Sequence, residues 1–245
     1  MKTTPKHLIL TSLLILSFAL SNNVLFAKKY LVKGGLMSAK IERATSKSNN
    51  SHFMYVNGLF KERGLSEDIF IMAFAGFEKL GKAGMLSSDS IITIIDFSKP
   101  SNEKRLYVID LKSGEILYHS VVAHGRNTGE KFARNFSNKP ESHMSSLGFY
   151  ITRKTYIGGN GYSLQLQGME KGYNDNAMTR TVVVHGADYA EESFIAKQGY
   201  LGRSYGCPAL PKGISKQVIE KIKDGNILFA YYPDNNYLKN SSLLN

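Results

Sequence analysis

The sequence predicts a mainly β domain, an antiparallel sandwich or barrel-like sheet with a few short helices and a small helical segment in front of it. Three observations lead there. From about residue 89, short apolar runs recur with turn residues between them. These runs are not regularly interleaved with helical patterns, which argues against a doubly wound parallel sheet. The longest stretch of helical periodicity precedes the strands instead of alternating with them.

Taken in order, residues 1–27 read as an export signal. Lys2 and Lys6 precede Leu8–Leu20, a largely apolar run too short to span a bilayer comfortably, and small residues place cleavage after Ser21 or Ala27. Left uncleaved, the segment would be a membrane anchor. Residues 28–88 form a helical and irregular segment. Ala44–His52 is a polar loop. A helix begins after Ser66, with Glu67 and Asp68 in its first turn. Ile69, Met72, Ala73, Gly76, Phe77 and Leu80 share one face, and Gly81 or Gly84 ends it.

Residues 89–234 carry the sheet. Ile91–Phe97 is a buried strand, and Arg105–Ala123 is a hairpin turning at Lys112, Ser113 and Gly114. Leu147–Arg153, Tyr162–Gly168, Thr181–Gly186 and Asn226–Pro233 follow as strands. Gly158–Ser163 lacks the lysine and the strand-to-helix setting of a phosphate loop, so it reads as a turn between strands. A helix over Ser215–Lys223, capped by Ser215, turns Val218, Ile219 and Ile222 inward. Residues 235–245 are polar and read as a loose tail.

The net charge is +11, and the chain stays strongly basic without Lys2 and Lys6. Such a protein is drawn to anionic surfaces, including an acidic cell-wall polymer. The cations are scattered and form no recognisable nucleic-acid module, so nucleic acid is not the expected partner. An exported chain that used cysteine for stability would carry it in pairs, yet Cys207 is the sole cysteine.

The surroundings of that thiol point to chemistry. His185 stands at the end of an apolar strand and is followed by Gly186. Cys207 comes twenty-two positions later, between Gly206 and Pro208. An imidazole can take a thiol proton, the thiolate can attack an acyl carbon, and the protonated imidazole can supply the leaving amine. Pro208 has no N–H and disfavours helical backbone at Cys207. An oxyanion hole would therefore draw on the amides of Tyr205, Gly206 and Cys207, each such donor worth roughly 3 kcal/mol in a transition state.

"VVVHGADY" (Val182–Tyr189) and "GRSYGCPALP" (Gly202–Pro211) resemble the signature of the L,D-transpeptidases, a His-Gly followed at a distance by Ser/Thr-His-Gly-Cys. The similarity is closest to the murein L,D-transpeptidase catalytic-domain branch. Val121–Gly129 and Phe136–Gly168 match the same branch, and the resemblance runs from about Ile91 to Tyr232. Tyr205 stands where the family has its second His, and Ala209 lies near the place of its usual Arg or Asn.

The resemblance implies an L,D-transpeptidase-like sheet and Cys207 as nucleophile with His185 as its base. Ser204, Tyr205, Arg203, Arg126, His124 and Gly186 are the candidate substrate contacts; structural hydrogen bonding is the other reading of His124, and a packed ring that of Tyr205. Arg126, Arg203 and Arg180 are the candidates to meet a stem-peptide carboxylate. Its expected partner is the peptidoglycan stem peptide, in the periplasm or envelope of a bacterium, and it needs no metal and no organic cofactor. Transfer of the acyl group to water would make the same machinery an L,D-carboxypeptidase. Another exported cysteine peptidase and a non-catalytic wall-binding protein are the alternatives. His119, His124 and His143 have no spacing suited to zinc.

Overall fold

A computed structural model describes residues 63–245 apart from Asp89. The signal segment 1–27 and residues 28–62 lie outside the described residues. Helix α1 (Glu67–Lys82) leads into β1 (Ile91–Asp96), β2 (Leu106–Asp110), β3 (Glu115–Ser120), β4 (Gly148–Gly158), β5 (Gly161–Gly168) and β6 (Val183–Gly186). A 3-10 turn (Asp188–Ala190), α2 (Glu192–Gln198), β7 (Ala209–Leu210), α3 (Lys212–Ile222), β8 (Ile227–Tyr231) and α4 (Asn235–Asn240) complete the chain.

All strands belong to one eight-stranded sheet, ordered β3-β2-β1-β8-β4-β5-β6-β7. Most ladders are antiparallel, while β1 pairs parallel with β8 and β6 parallel with β7. The wholly buried run Ile91–Asp96 occupies an interior position, as an unbroken apolar strand should. Gly114 turns the β2–β3 hairpin at φ 72°, in the left-handed region glycine favours. Gly158 pairs with Gly161, so the glycine-rich stretch is the β4–β5 turn.

The sheet curls towards closure. Ala123, just past β3 at one edge, bridges Ala209 of β7 at the other: its N–H donates to the Ala209 carbonyl at 2.8 Å. Gly125 bridges Ser204 in parallel: the Ser204 N–H donates to the His124 carbonyl at 2.9 Å and the Arg126 N–H to the Ser204 carbonyl at 2.7 Å. These contacts lay the loop after β3 beside the Cys207 loop, and the site depends on that juxtaposition.

α1 packs on the sheet in a single core with Ile92, Phe149 and Phe229, and the last two rings stack at 4.2 Å. The bare Cα of Gly76 lies against the Phe149 ring, where a methyl group would overlap it. The helix is thus part of the sheet's own core. Ser66 stands at its N-cap without a side-chain capping bond.

Two further expectations are corrected. The second helix begins at Lys212 and not at Ser215, because Glu191 Oε1 accepts the Lys212 N–H at 2.7 Å, and Ser215 lies inside the helix. The C-terminal residues are ordered as α4. Asp234 caps it, and Tyr237, fully buried, donates to Glu170 Oε2 at 2.8 Å while Ser241 bonds the other oxygen of the same carboxylate. A buried carboxylate needs such donors, and the tail supplies two of them.

Candidate active site

β6 and the loop before β7 carry the two residues singled out by the sequence. His185 pairs with Ala209 in the parallel β6–β7 ladder, and Gly186 with Leu210. Carried two residues back, that register sets Cys207 beside Val183. The sulfur occupies the edge of β6: the Val183 N–H donates to Sγ at 3.5 Å, and the thiol donates to the Thr181 carbonyl at 3.8 Å. Burial pushes the thiol pKa up, while the Val183 N–H and the charge of Arg180 pull it down.

His185 is 2% exposed. Its Nδ1 lies 3.1 Å from the Gly186 carbonyl. Burial lowers its pKa, which favours the neutral imidazole. A neutral ring that donates from Nδ1 to a carbonyl keeps its lone pair on Nε2, the form a proton acceptor requires. His185 and Cys207 sit on adjacent paired segments but share no hydrogen bond in this resting arrangement. The thiol faces the Thr181 carbonyl. Catalytic hydrogen bonds often tighten only with substrate present. Tyr189, which the sequence did not single out, sets its ring edge-on to His185 at 6.4 Å and lies within electrostatic reach of Cys207.

The Cys207 loop is braced from within. Ser204 Oγ accepts the Gly206 N–H at 3.0 Å and donates to the Cys207 carbonyl at 2.6 Å. Ser145 Oγ donates to the Gly206 carbonyl at 3.1 Å. Gly206, at φ 122°, lets the chain turn there. The Gly206 amide is therefore occupied, which removes it from the three expected oxyanion donors. The Tyr205 and Cys207 amides make no hydrogen bond among the described residues and remain available. Ser204, 7% exposed with its hydroxyl engaged on both sides, shapes the loop and is not placed to meet substrate.

His124 is likewise corrected. It is fully buried; Arg105 Nη2 lies 2.7 Å from its Nδ1, and its Nε2 lies 3.2 Å from the Gly129 carbonyl. A guanidinium can only donate, so Nδ1 accepts and Nε2–H donates. Burial and the neighbouring Arg105 charge push its pKa down to about 3. Both nitrogens serve the interior, leaving none for substrate. Gly186 also has a packing reason: a methyl group there would run into Ser215 of α3.

Arg126 and Arg203 are exposed on the rim. The Arg126 guanidinium lies 5.8 Å from the Tyr205 ring, which is 67% exposed and packs at 4.5 Å on His143. Cys207, Arg203 and Tyr205 thus share one loop, Arg126 lies against Tyr205, and His185 stands on the paired strand. Arg180, expected as a candidate for a stem-peptide carboxylate, is half-buried and spends its guanidinium on Ser137, Ser142, Met144 and Ser146. Tyr189 and His143 lie in the same neighbourhood, and Ser204, His124 and Gly186 belong to the scaffold. His119 stacks on Tyr107 at 4.5 Å, away from this cluster's contacts.

Fold and site define a class: a mainly β domain whose one thiol sits in a braced loop beside a neutral histidine at a strand end. Residues 61–231 match the L,D-transpeptidase catalytic domain, and the chain belongs to that family. No curated protein matches it. Similar solved structures include an L,D-transpeptidase from Mycobacterium smegmatis, 14% identical over 58% of this chain and 59% of that one, with a TM-score of 0.36. Another is an L,D-transpeptidase from Stackebrandtia nassauensis, 12% identical over 68% of each chain, at a TM-score of 0.36. A third is the helical cell shape determining protein Pgp2 from Campylobacter jejuni, 12% identical over 65% of this chain and 55% of that one, at 0.38. The chain spans about three fifths of the length of the first of these.

Proposed function

We propose that the protein is an exported peptidoglycan L,D-transpeptidase that works through a cysteine acyl-enzyme. The observation that carries this reading is the pair of amides, Tyr205 and Cys207, left without a hydrogen bond among the described residues beside the thiol, in a loop braced by Ser204 and Ser145.

In the proposed cycle the thiol turns from Thr181 and gives its proton to His185. The thiolate attacks the carbonyl carbon that follows the L-configured centre of a tetrapeptide stem. The developing oxyanion is held by the two amides, each worth about 3 kcal/mol. The C–N bond breaks, His185 returns the proton to the departing D-alanine, and a thioester remains on Cys207. A side-chain amine of a second stem then attacks the thioester, losing its proton to His185, and the new amide cross-links the two stems. Water in place of that amine gives L,D-carboxypeptidase activity. Arg126 and Arg203 on the rim supply positive charge for stem carboxylates, and Tyr205 an exposed ring beside them. The basic composition suits an anionic wall, and the export signal read in residues 1–27 supports a place in a bacterial envelope.

Incubation with disaccharide-tetrapeptides tests this. The expected result is release of D-alanine with formation of a cross-linked dimer, and a thioester mass on Cys207 after rapid acid quenching. Folded protein that gives neither product nor adduct would overturn the reading.

A further inference from the structure

A charge held against the Cys207 loop from outside it comes from a residue with no place in the cycle above. Arg180 is half-buried and lies behind Gly206: a methyl group on Gly206 would sit 3.2 Å from Arg180 Nη2. The guanidinium is held from several sides. Nη1 donates to the Ser137 carbonyl at 2.7 Å and to Ser146 Oγ at 2.6 Å. Nη2 donates to the Met144 carbonyl at 2.6 Å and to Ser142 Oγ at 3.2 Å. No carboxylate is among these partners, so the positive charge is not neutralised by an ion pair.

The backbone supplies a second, independent observation. Thr181, next in the chain, is held at φ 53°. For a β-branched residue this left-handed backbone costs on the order of 1–3 kcal/mol and persists only where the surroundings impose it. The strained residue is the one whose carbonyl receives the Cys207 thiol.

We propose that Arg180 is a positioning residue that favours the Cys207 thiolate, its charge fixed behind Gly206 by the loop 137–146. It takes the electrostatic part that a cation just after the nucleophile would play, a place held here by Pro208 and Ala209. The other titratable groups around it are Tyr189, within electrostatic reach of the sulfur, His185 on the paired strand, and Arg203 and Tyr205 in its own loop, with the His143 ring tilted against Tyr205. Tyr150 faces Arg180 from β4. Against burial, which raises the thiol pKa, Arg180 is the charged side chain that lowers it. Burial lowers the guanidinium's own pKa, yet arginine is so strong a base that it stays cationic near neutral pH.

The test reads the thiol directly. Cys207 is the sole cysteine, so the rate of iodoacetamide alkylation of the full chain against pH reports that one group. Arg180→Gln is expected to move the alkylation midpoint up by about half to one unit and to slow alkylation at pH 7 about three- to tenfold. Arg180→Lys, which keeps the charge, is expected to stay within about 0.3 unit of wild type. Ser142→Asp sets a carboxylate against the outer end of the guanidinium and is expected to raise the midpoint in the same direction, by less. A merely structural Arg180 would change thermal stability and leave the midpoint in place. The proposal is overturned by an unchanged midpoint in folded Arg180→Gln, or by an equal rise in Arg180→Lys. If Arg180→Gln does not fold, an unchanged midpoint in Ser142→Asp overturns it alone. Alkylation needs no transpeptidase activity, so failure here is distinguishable from failure of the proposed reaction.

Discussion

His124-Gly125 and His185-Gly186 are the same dipeptide in sequence and serve opposite ends in the fold. His124 lies where β3 runs on towards β7, and its ring is clamped between the buried guanidinium of Arg105 and the Gly129 carbonyl. Arg105 itself is fully buried and donates to the Val122 and Lys99 carbonyls. His185 is nearly as buried, but only its Nδ1 is engaged, and by the carbonyl of the residue next to it. One imidazole is a two-ended brace, and the other keeps a lone pair. What separates them is not the dipeptide but the partner, which for His124 comes from nineteen positions upstream.

The largest expected effect is at the thiol. Cys207→Ala abolishes covalent labelling by a carbapenem, read by intact mass, and leaves the thermal midpoint close to wild type because no core contact is lost. The brace is expected to show next, in acid. His124 is neutral in the fold with a pKa near 3, against 6.5 in an unfolded chain. Between those values the unfolded state binds the extra proton. Stability is therefore full above pH 6.5 and declines as pH falls towards 3, by on the order of 3–4 kcal/mol. Burial lowers the pKa of His185 as well, adding in the same direction, while it raises that of Asp96, which opposes the trend. Urea unfolding from pH 7 to pH 4 measures this, and His124→Gln should flatten the slope.

The two glycines sharpen the comparison at a smaller scale. A methyl group on Gly125 would press on backbone, the His143 carbonyl, the Ser145 amide and Gly206 Cα. One on Gly186 would first meet the Ser215 hydroxyl, which can move. Gly125→Ala is expected to cost about 2–3 kcal/mol and to slow labelling of Cys207 through Gly206, whereas Gly186→Ala costs about 1–2 kcal/mol. Equal losses in thermal unfolding and labelling rate would break the distinction.

Much of the sheet was legible because its signals are local. The apolar run at Ile91–Ile95, the Gly114 turn and the glycine-rich β4–β5 turn each declare themselves within a few residues. The insertion of β8 between β1 and β4 was not, since no local pattern specifies a parallel partner more than a hundred residues away. α2 buries none of its residues and so has no apolar stripe to read. The order of α4 rests on Tyr237 and Ser241 reaching Glu170, a contact that polar composition conceals. At the site, Cys207 and His185 could be singled out because a lone thiol and a strand-end His-Gly suggest chemistry by themselves; that they lie on paired segments took the fold. The bracing role of Ser204 was hidden, and the structural reading of His124 could not be separated from substrate contact, because each is decided by hydrogen-bond partners that only the fold brings near. Arg180 became prominent only once its distance from Gly206 was known.

The most direct test of the central claim compares the two histidines in one assay, the rate of carbapenem labelling of Cys207 at pH 7. His185→Gln is expected to slow labelling by about a hundredfold or more, the typical contribution of a general base, while folded His124→Gln stays within about threefold of wild type. Wild-type labelling in folded His185→Gln would contradict the account, as would a reversal of the two variants.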